Sequence, residues 1–325
     1  MKVLVVGGAG YIGSHMALML SQQGAEVIVL DDLSSGHADA VLSGRLAQGS
    51  IEDTGLLDHL FSVEKFDGVM HFASFIQVGE SVRQPAKYYR NNVTHTINLL
   101  DAMVRHRVKN FIFSSTAAIF GQPEYVPIDE AHPKQAINPY GRSKWMVEQV
   151  LQDYDSAYGL KSICLRYFNA AGADPEARIG ETHDPETHLI PLLLQVASGR
   201  RESAQIFGDD YDTPDGTCIR DYIHVLDLAA VHSLALAQLI NGASSAAYNL
   251  GNGNGFSVRQ VIETVGQVTM KPVPVIHAGR RAGDPARLVA DSRLARKDLG
   301  WTPLYPDIST IVSHAWDWER KIAGL

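Results

Sequence analysis

The chain has 325 residues, of which 45% are hydrophobic and 20% charged, so its composition is that of a folded globular protein and excludes a disordered chain. The formal net charge is −8, and no run of Lys or Arg is long enough to follow a phosphate backbone, which argues against nucleic acid as a partner. Cys164 and Cys218 form no CxxC pair, and the histidines have no ligand-like spacing, so we expect no metal. No apolar run approaches the ~20 residues of a membrane span. The first residues read as a buried strand and not as a signal peptide, and we expect a cytoplasmic enzyme with no membrane partner.

The first half of the chain alternates short apolar runs with helical patterns. Runs with little polar alternation suit strands that are covered on both faces. Strand and helix in repetition predict a parallel sheet with right-handed crossovers, and therefore a Rossmann-type doubly wound α/β fold. The predicted elements are strands at 2–6, 26–30, 68–73, 110–115 and 162–168 and a helix at 11–22.

The second half is less regular and predicts a smaller mixed α/β domain. Residues 172–187 are polar and rich in Pro and Gly, and we expect an irregular loop there. Three further segments follow: a helix at 188–199, a strand leading into a helix at 221–240, and a late strand at 246–252 that returns to the first sheet. We expect the chain from 257 onward to alternate helix and strand and to end in a Trp-bearing helix. The predicted domains are 1–168 plus about 222–251, and about 169–221 plus 252–325.

A glycine-rich segment, GGAGYIGSH, follows the first strand and opens the first helix. Gly7, Gly10 and Gly13 allow a tight turn and a close approach of the backbone to a pyrophosphate, which the free N–H groups of the helix N-terminus then bind. The motif is weak alone, but its place between a strand and a helix is the context that supports it. A glycine-rich turn without a ligand is the alternative.

Two carboxylates, Asp31 and Asp32, end the second strand about 20 residues further on, as a dinucleotide fingerprint expects. A carboxylate accepts hydrogen bonds from ribose hydroxyls and repels a 2′-phosphate, and no arginine follows closely. We therefore predict NAD rather than NADP, with Asp31 as the ribose ligand. Solvated turn residues are the alternative.

The segment NPYGRSK places Tyr140 and Lys144 one helical turn apart on the same face. A free tyrosine has a pKa of about 10 and is a poor base at neutral pH. A nearby cation favours the phenolate and lowers that pKa, which would make Tyr140 a general base. An isolated Y-x-x-x-K match is common by chance, so the pair depends on its surroundings.

Hydroxyl side chains end the strand at 110–115. Ser114, Ser115 and Thr116 lie at the carboxyl edge, where open α/β sheets bind ligands. A hydroxyl there can bond a substrate oxygen and share its proton with the tyrosine. Capping of the next turn is the simpler interpretation of the same residues.

Taken together, these motifs resemble the extended short-chain dehydrogenase/reductase family and, within it, the UDP-glucose 4-epimerases. The resemblance covers essentially the whole chain, and DGTCIRDYIHV and RRAGDPA narrow it to nucleotide-sugar epimerases. The segments that carry it are GGAGYIGSH, HFASFIQVGESV, YYRNNV, FSSTAAIFG, NPYGRSK, LRYFNAAGA, IFGDDYDTPDGTCIRDYIHVLDLA, YNLG and RRAGDPA.

The resemblance implies a tightly held NAD and reversible oxidation of a UDP-sugar at C4 through a 4-keto sugar, which interconverts UDP-galactose and UDP-glucose. It implies catalytic roles for Tyr140, Lys144, Thr116 and Ser114. The implied cofactor residues are Gly7, Gly10, Tyr11, Ile12, Gly13, Asp31, Asp32, Ser50, Ile51, Phe72, Ala73, Asn91, Ser114, Tyr140, Lys144 and Tyr167. The implied substrate residues are Thr116, Tyr140, Asn169, His188, Leu189, Gln205, Phe207, Arg220, Arg281 and Asp284. A homodimer that pairs helices near 92–105 and 140–155 is also implied.

Four positions depart from the commonest family pattern: Ile76 replaces a frequent lysine, Ser50 a frequent acid, and His188 a frequent asparagine, while Leu288 has an intermediate size. The size of Leu288 leaves epimerisation of UDP-N-acetylglucosamine and UDP-N-acetylgalactosamine open. Dehydratases of this scaffold need an acid–base pair directly after the hydroxyl residue, where this chain has two alanines, at 117 and 118. The scaffold is also compatible with a decarboxylase, with a dehydrogenase that releases its cofactor, and with a non-catalytic NAD-sensing protein.

Overall fold

The computed structural model of the protein describes residues 1–281 and 283–325, so that Ala282, inside the segment RRAGDPA, lies outside the described residues. The strands are β1 (Lys2–Val6), β2 (Glu26–Asp31), β3 (Arg45–Gln48), β4 (Gly68–His71), β5 (Asn110–Thr116), β6 (Lys161–Tyr167), β7 (Asn169–Ala171), β8 (Ala204–Phe207), β9 (Ile219–Arg220), β10 (Tyr222–His224), β11 (Ala246–Leu250), β12 (Phe256–Ser257), β13 (Val275–Ala278) and β14 (Arg287–Leu288).

The helices connect these strands. They are α1 (Tyr11–Gln22), α2 (Thr54–Val63), α3 (Val78–Arg83), α4 (Pro85–Tyr89), α5 (His95–Arg105), α6 (Pro139–Tyr158), α7 (Leu189–Ala197), α8 (Val225–Ile240), α9 (Val258–Thr269), α10 (Arg293–Leu299) and α11 (Ile308–Ala323). Short 3-10 turns cover Ala38–Ala40 and Ala117–Ile119, and a π-helical turn covers Arg90–Thr94.

Seven parallel strands form the main sheet in the order β11-β6-β5-β4-β1-β2-β3. Alternate side chains of each strand enter different cores: in β1, Val3 and Val5 pack with α1 and α8, whereas Leu4 and Val6 pack with α2, α5 and α6. Burial on both faces explains why these strands are apolar throughout and not alternating. The predicted doubly wound α/β fold is confirmed.

The strand order reverses between β1 and β4, because the chain extends the sheet first toward β3 and then toward β11. Open α/β sheets bind ligands at such a switch point, outside the carboxyl ends of the strands. The backbone topology alone therefore predicts the site at the carboxyl ends of β1 and β4.

Each predicted strand and helix is present, with differences at its ends, whereas the short strands β3, β7, β8 and β9 were not predicted. The strand predicted at 68–73 ends at His71, and Phe72 and Ala73 begin the following loop. Residues 172–187, all of them described, contain neither helix nor strand, as predicted. The late strand β11 pairs with β6 in the main sheet, and α11 carries Trp316 and Trp318. β3 was not predicted, because its four residues are only partly buried and lack an apolar run.

A third core joins α7, α9 and α11, and three small sheets surround it: β7 with β10, β8 with β13, and β9 between β12 and β14. Most residues of this core belong to the predicted second domain, which supports the predicted division of the chain into two domains. Ala295, Leu299 and Trp301 from the same part of the chain pack instead into the core beneath α1 and α8. The division into two domains stays a prediction.

Among residues 1–281 and 283–325, no helix combines the length and the apolar character needed to cross a membrane.

Candidate active site

The turn between β1 and α1 depends on two glycines. Gly7 has a φ of +77°, and a Cβ there would lie 2.4 Å from the backbone nitrogen of Ala73. A Cβ on Gly13 would lie 2.1 Å from the carbonyl oxygen of Gly7. Gly10 is the N-cap of α1 and carries no side chain to block the free N–H groups of the first turn. The backbone therefore forms an open cradle at a helix N-terminus, which fits a pyrophosphate.

Asp31, at the end of β2, is held against this turn. Its carboxylate accepts hydrogen bonds from the backbone N–H of Ala9 and that of Leu33, each at 2.9 Å. Burial raises the pKa of Asp31, and these two hydrogen bonds oppose that shift. Each carboxylate oxygen has a second lone pair, so the fixed group can still accept hydrogen bonds from a ribose.

Tyr140 lies in the first turn of α6. The side chain of Asn138 caps this helix by accepting a hydrogen bond at 2.8 Å from the backbone N–H of Gly141, and Pro139 occupies the first helical position. Burial raises the pKa of the Tyr140 hydroxyl, and the neighbouring Thr116 hydroxyl opposes that shift. Tyr140 therefore needs a positive charge nearby before it can act as a base at neutral pH.

Lys144 supplies a candidate for that charge one turn further along α6. Its side chain is buried, and its Nζ donates a hydrogen bond to the carbonyl oxygen of Ser114 at 2.8 Å and lies 4.9 Å from the centroid of the Phe113 ring. Burial lowers the pKa of the Lys144 amine to about 7. A modest change in its surroundings therefore changes the charge of this lysine near neutral pH.

Two hydroxyls lie at the carboxyl end of β5, that of Thr116 beside Tyr140 and that of Ser114 beside Tyr167. The Thr116 hydroxyl accepts a hydrogen bond at 3.1 Å from the backbone N–H of Ala118, which leaves its own proton free to bond a ligand. The Ser114 hydroxyl is in hydrogen-bond contact with the hydroxyl of Tyr167 at the end of β6. Burial and the nearby Tyr140 raise the pKa of Tyr167, so it stays protonated.

These groups surround a cavity of about 810 Å³ at the carboxyl edge of the main sheet. The predicted site residues that line it are Gly7, Gly10, Tyr11, Ile12, Gly13, Asp31, Asp32, Ser50, Ile51, Phe72, Ala73, Asn91, Thr116, Tyr140, Tyr167, Asn169, His188, Leu189 and Arg220, and Ile76 and Leu288 line it as well. Most of the predicted cofactor residues end or follow the strands β1 to β6, while Asn91 lies in the π-helical turn and Tyr140 and Lys144 lie on α6. The parallel sheet thereby brings together segments that are far apart in sequence.

Six predicted site residues do not line the cavity. Ser114 and Lys144 lie just behind its wall, through the contacts described above. The other four lie farther out: Gln205, Phe207, Arg281 and Asp284.

Asp284 is tied to the cavity by Arg220, whose Nη2 lies 2.5 Å from the Asp284 carboxylate. The Arg281 guanidinium stacks 3.7 Å above the centroid of the Phe207 ring. Gln205 is exposed on β8, and the structure does not bring it to the cavity.

Two supporting groups were not predicted. Glu148 on α6 forms a buried ion pair with Arg166 on β6, with Nη2 and Oε2 2.5 Å apart, and it also accepts a hydrogen bond from Ser115 at 2.6 Å. The amide of Asn92 donates to the Ser143 hydroxyl at 3.1 Å and to the carbonyl oxygen of Phe75 at 3.0 Å. Glu148 fixes α6 against β5 and β6, and Asn92 joins α6 to the loop after β4. No local sequence signal links such distant partners.

The loop before α7 brings together four side chains, two of which are histidines without ligand-like spacing in the sequence. Glu181, His183, Glu186 and His188 place ligand atoms within 4.8 Å of one another. The spacing of the histidines along the sequence did not predict this cluster, and the expectation that no metal is bound stays a prediction. The pattern E-x-H-x-x-E-x-H is the signal that could have found it.

Comparison with known proteins assigns the class. The model of the NAD dependent epimerase/dehydratase family matches residues 3–251. The chain belongs to this family. NAD as the predicted cofactor is thereby confirmed at the level of the family.

The relatives narrow the class further. The chain is 54% identical over 321 residues to the UDP-glucose 4-epimerase of Halalkalibacterium halodurans, covering 99% of this chain and 96% of that protein. The UDP-glucose 4-epimerase of Brucella ovis in complex with NAD is 50% identical, with a TM-score of 0.95 over 97% of each chain. The UDP-glucose-4-epimerase of Stenotrophomonas maltophila with bound NAD and formylated UDP-arabinopyranose is 39% identical, with a TM-score of 0.96 over 100% of this chain and 99% of that one. The chain is thus similar over its full length to UDP-glucose 4-epimerases.

Proposed function

We propose that this protein interconverts UDP-galactose and UDP-glucose by reversible oxidation at sugar C4, with NAD as a resident cofactor. The observation that carries the proposal is that Tyr140 and Thr116 line the same cavity as the glycines of the Gly7–Gly13 cradle, with Lys144 just behind the cavity wall. The full-length similarity to UDP-glucose 4-epimerases supports the same reaction.

Tyr140 is the residue we assign as general base for the 4-hydroxyl of the sugar. Its phenolate would take the hydroxyl proton, and the resulting phenol would return a proton after the 4-keto sugar has turned over. When bound, NAD supplies the acceptor and donor of hydride at C4, so that it ends the cycle unchanged. Thr116 would hold the 4-oxygen through its free hydroxyl proton.

Lys144 is assigned to tune the tyrosine. An ammonium one turn along α6 favours the phenolate, and the hydrogen bond to the Ser114 carbonyl fixes that ammonium between β5 and α6. Ser114 in turn holds Tyr167, which lines the cavity.

The UDP part is assigned to the side of the cavity formed by β7, β9 and α7. Arginine suits diphosphate because its planar fork matches two oxygens at once. Arg220 lines the cavity, while the stacked pair of Arg281 and Phe207 offers a cation and a ring for the nucleotide. Asn169, His188 and Leu189 complete this side, whereas Gln205 does not reach the cavity.

The main alternative is an epimerase that acts also or mainly on UDP-N-acetylglucosamine and UDP-N-acetylgalactosamine. Leu288 lines the cavity from β14, so its volume bears on the space left for an N-acetyl group. A dehydratase or decarboxylase is disfavoured, because the residues after Thr116 are Ala117 and Ala118, which offer no acid or base for elimination.

We also propose that the protein is a homodimer and acts in the cytoplasm. The helices named for a dimer interface are α5 and α6, and Met146 on α6 exposes 42% of its surface, whereas Val147 beside it is buried. Cytoplasmic location stays a prediction from the sequence pattern.

The test is conversion of UDP-galactose by the purified protein without added NAD. Product formation supports an epimerase with a resident cofactor, and a parallel reaction with UDP-N-acetylglucosamine decides between the two sugar classes. A protein that binds NAD but converts neither sugar would support a non-catalytic, NAD-sensing role.

A further inference from the structure

We propose that Glu181, His183, Glu186 and His188 form a binding site for one Zn²⁺ ion. They lie in the loop that precedes α7, and one ligand atom from each falls within 4.8 Å of the others. The cluster contains none of the proposed proton-transfer residues and shares His188 with the proposed UDP side of the cavity, and the zinc measurements below do not depend on the proposed function.

The side chains converge on one point. The Nδ1 atom of His183 lies 3.0 Å from Oε1 of Glu181, and Nδ1 of His188 contacts the same oxygen. The Glu186 carboxylate lies 3.9 Å from each of the two Nδ1 atoms. Ligand atoms on a tetrahedral zinc lie roughly 3.3 Å apart, given Zn–N distances of about 2.0–2.1 Å, so that only small shifts are needed to enclose the ion.

The charge of the cluster favours a divalent cation. The side chains of Glu181 and Glu186 expose only 5% and 6% of their surface. Two carboxylates buried side by side require compensating positive charge. Within residues 1–281 and 283–325, their ion-pair partners are His183 and His188, and these balance both charges only if both imidazoles are protonated. One Zn²⁺ with two neutral imidazoles achieves the same balance.

The ligands are also held from outside the cluster. The backbone N–H groups of Thr187 and His188 donate to Oε1 of Glu186 at 2.7 and 2.8 Å. The indole Nε1 of Trp318 on α11 donates to the carbonyl oxygen of Glu181 at 3.1 Å. The ring of His183 packs edge-on against Tyr11 of α1, with the centroids 6.3 Å apart. Such outer contacts orient metal ligands and raise their affinity.

Two imidazole nitrogens and two carboxylate oxygens are a donor set that zinc accepts, with a closed tetrahedral shell typical of a structural ion. The ion would fix the loop that places Thr187, His188 and Leu189 in the cavity wall. It would also join this loop to α1 and α11.

Zinc content tests the proposal without any substrate. Protein made without a histidine tag is stripped with dipicolinate, given one equivalent of zinc sulfate, freed of loose metal by gel filtration, and analysed by plasma mass spectrometry. We expect one retained zinc per chain and a thermal midpoint that rises with zinc. A wild-type chain that emerges without zinc, with a midpoint independent of the metal, would overturn the proposal.

Variants locate the ion. His183→Gln and Glu186→Gln keep the size of the side chain, and we expect at least a tenfold loss of zinc affinity from each, since even an outer-shell change costs about 10–100-fold. The matched control is His37→Gln, because His37 contacts the carbonyl oxygen of Thr182 in the same loop but supplies no ligand atom. Equal zinc affinity in His183→Gln and wild type would contradict the assignment.

Anomalous diffraction at the zinc edge gives an answer that needs no variant. A peak among the four side chains supports the site. A bound zinc held by other residues would overturn it.

Discussion

The ammonium nitrogen of Lys144 lies 2.8 Å from the carbonyl oxygen of Ser114, which ties the start of α6 to the carboxyl end of β5. Tyr140 lies on α6 and Thr116 on β5, so the same contact also sets the position of Tyr140 relative to Thr116. The candidate proton-transfer site is therefore a property of the packing between one helix and one strand.

Replacing Tyr140 by phenylalanine should remove the base and keep the ring. We expect kcat to fall by about 10²- to 10⁴-fold, the usual contribution of a positioned general base. The NAD released on denaturation, measured by chromatography, should be unchanged.

Tyr158→Phe is the control for this substitution. It makes the same change at the exposed end of the same helix, outside the cavity lining, and activity should be retained. Near-full activity of Tyr140→Phe would show that the base is another group.

The stability of the protein should depend on pH through Lys144. Burial lowers its pKa in the fold from 10.5 to about 7. Between these values the unfolded chain binds more protons at this position, so the contribution of this group to stability rises with pH and is lost as the pH falls toward 7.

The comparison is with Lys144→Met, which lacks the titrating group. The free energy of unfolding in urea is measured for both proteins at pH 7 and pH 9. The difference, wild type minus variant, should increase with pH by at most about 1.4 kcal/mol per pH unit. A difference that does not change with pH would mean that Lys144 titrates normally in the fold.

Gly13→Ala should disrupt the cradle itself. The new Cβ would lie 2.1 Å from the carbonyl oxygen of Gly7, which is backbone and cannot move aside cheaply. We expect loss of bound NAD and a lower thermal midpoint.

Gly266→Ala in α9 is the matched substitution. Its Cβ meets no atom closer than 3.7 Å, and alanine is favoured over glycine inside a helix by roughly 0.5–1 kcal/mol. The thermal midpoint of Gly266→Ala should equal or exceed that of the wild type, and its NAD content should be unchanged. If Gly13→Ala retained NAD as Gly266→Ala does, the cradle would not be the cofactor site.

The size of residue 288 should set the preference between sugars. Leu288→Tyr fills part of the cavity, and we expect kcat/KM for UDP-N-acetylglucosamine to fall by roughly tenfold or more relative to UDP-galactose. Leu288→Ala should raise kcat/KM for UDP-N-acetylglucosamine relative to UDP-galactose. An unchanged ratio in both variants would place the N-acetyl group elsewhere.

Met146→Arg should dissociate the proposed dimer, because it places a charge on the exposed face of α6. Sedimentation velocity should report a dimer for the wild type and a monomer for the variant. Met270→Arg, at a position that is 85% exposed outside α5 and α6, should remain a dimer. A monomeric wild type would contradict the proposal directly.

The sequence predicted most of the fold because its strands are buried on both faces and therefore read as apolar runs. It also predicted that Gly7, Gly13 and Asp31 lie around the turn between β1 and α1, since a strand, a tight turn and a helix N-terminus are local features. Strand β3 was not predicted, because its residues are only partly buried and form no apolar run.

Contacts between distant segments could not be predicted in the same way. The pairing of Glu148 with Arg166 depends on how α6 packs on β6, which no local pattern specifies. The cluster of Glu181, His183, Glu186 and His188 lies within eight residues, yet its convergence depends on the path of an irregular loop. Gln205 shows the opposite case: a residue assigned by resemblance that the structure leaves exposed on β8.

The central claim is that Tyr140, Thr116 and Lys144 act on a UDP-sugar beside a resident NAD. The most direct measurement is to incubate the purified protein with UDP-galactose, without added NAD, and to follow the sugar nucleotides by chromatography and NADH by absorbance. The account predicts formation of UDP-glucose with no net release of NADH. A strict requirement for added NAD, with NADH released in proportion to the sugar consumed, would contradict it.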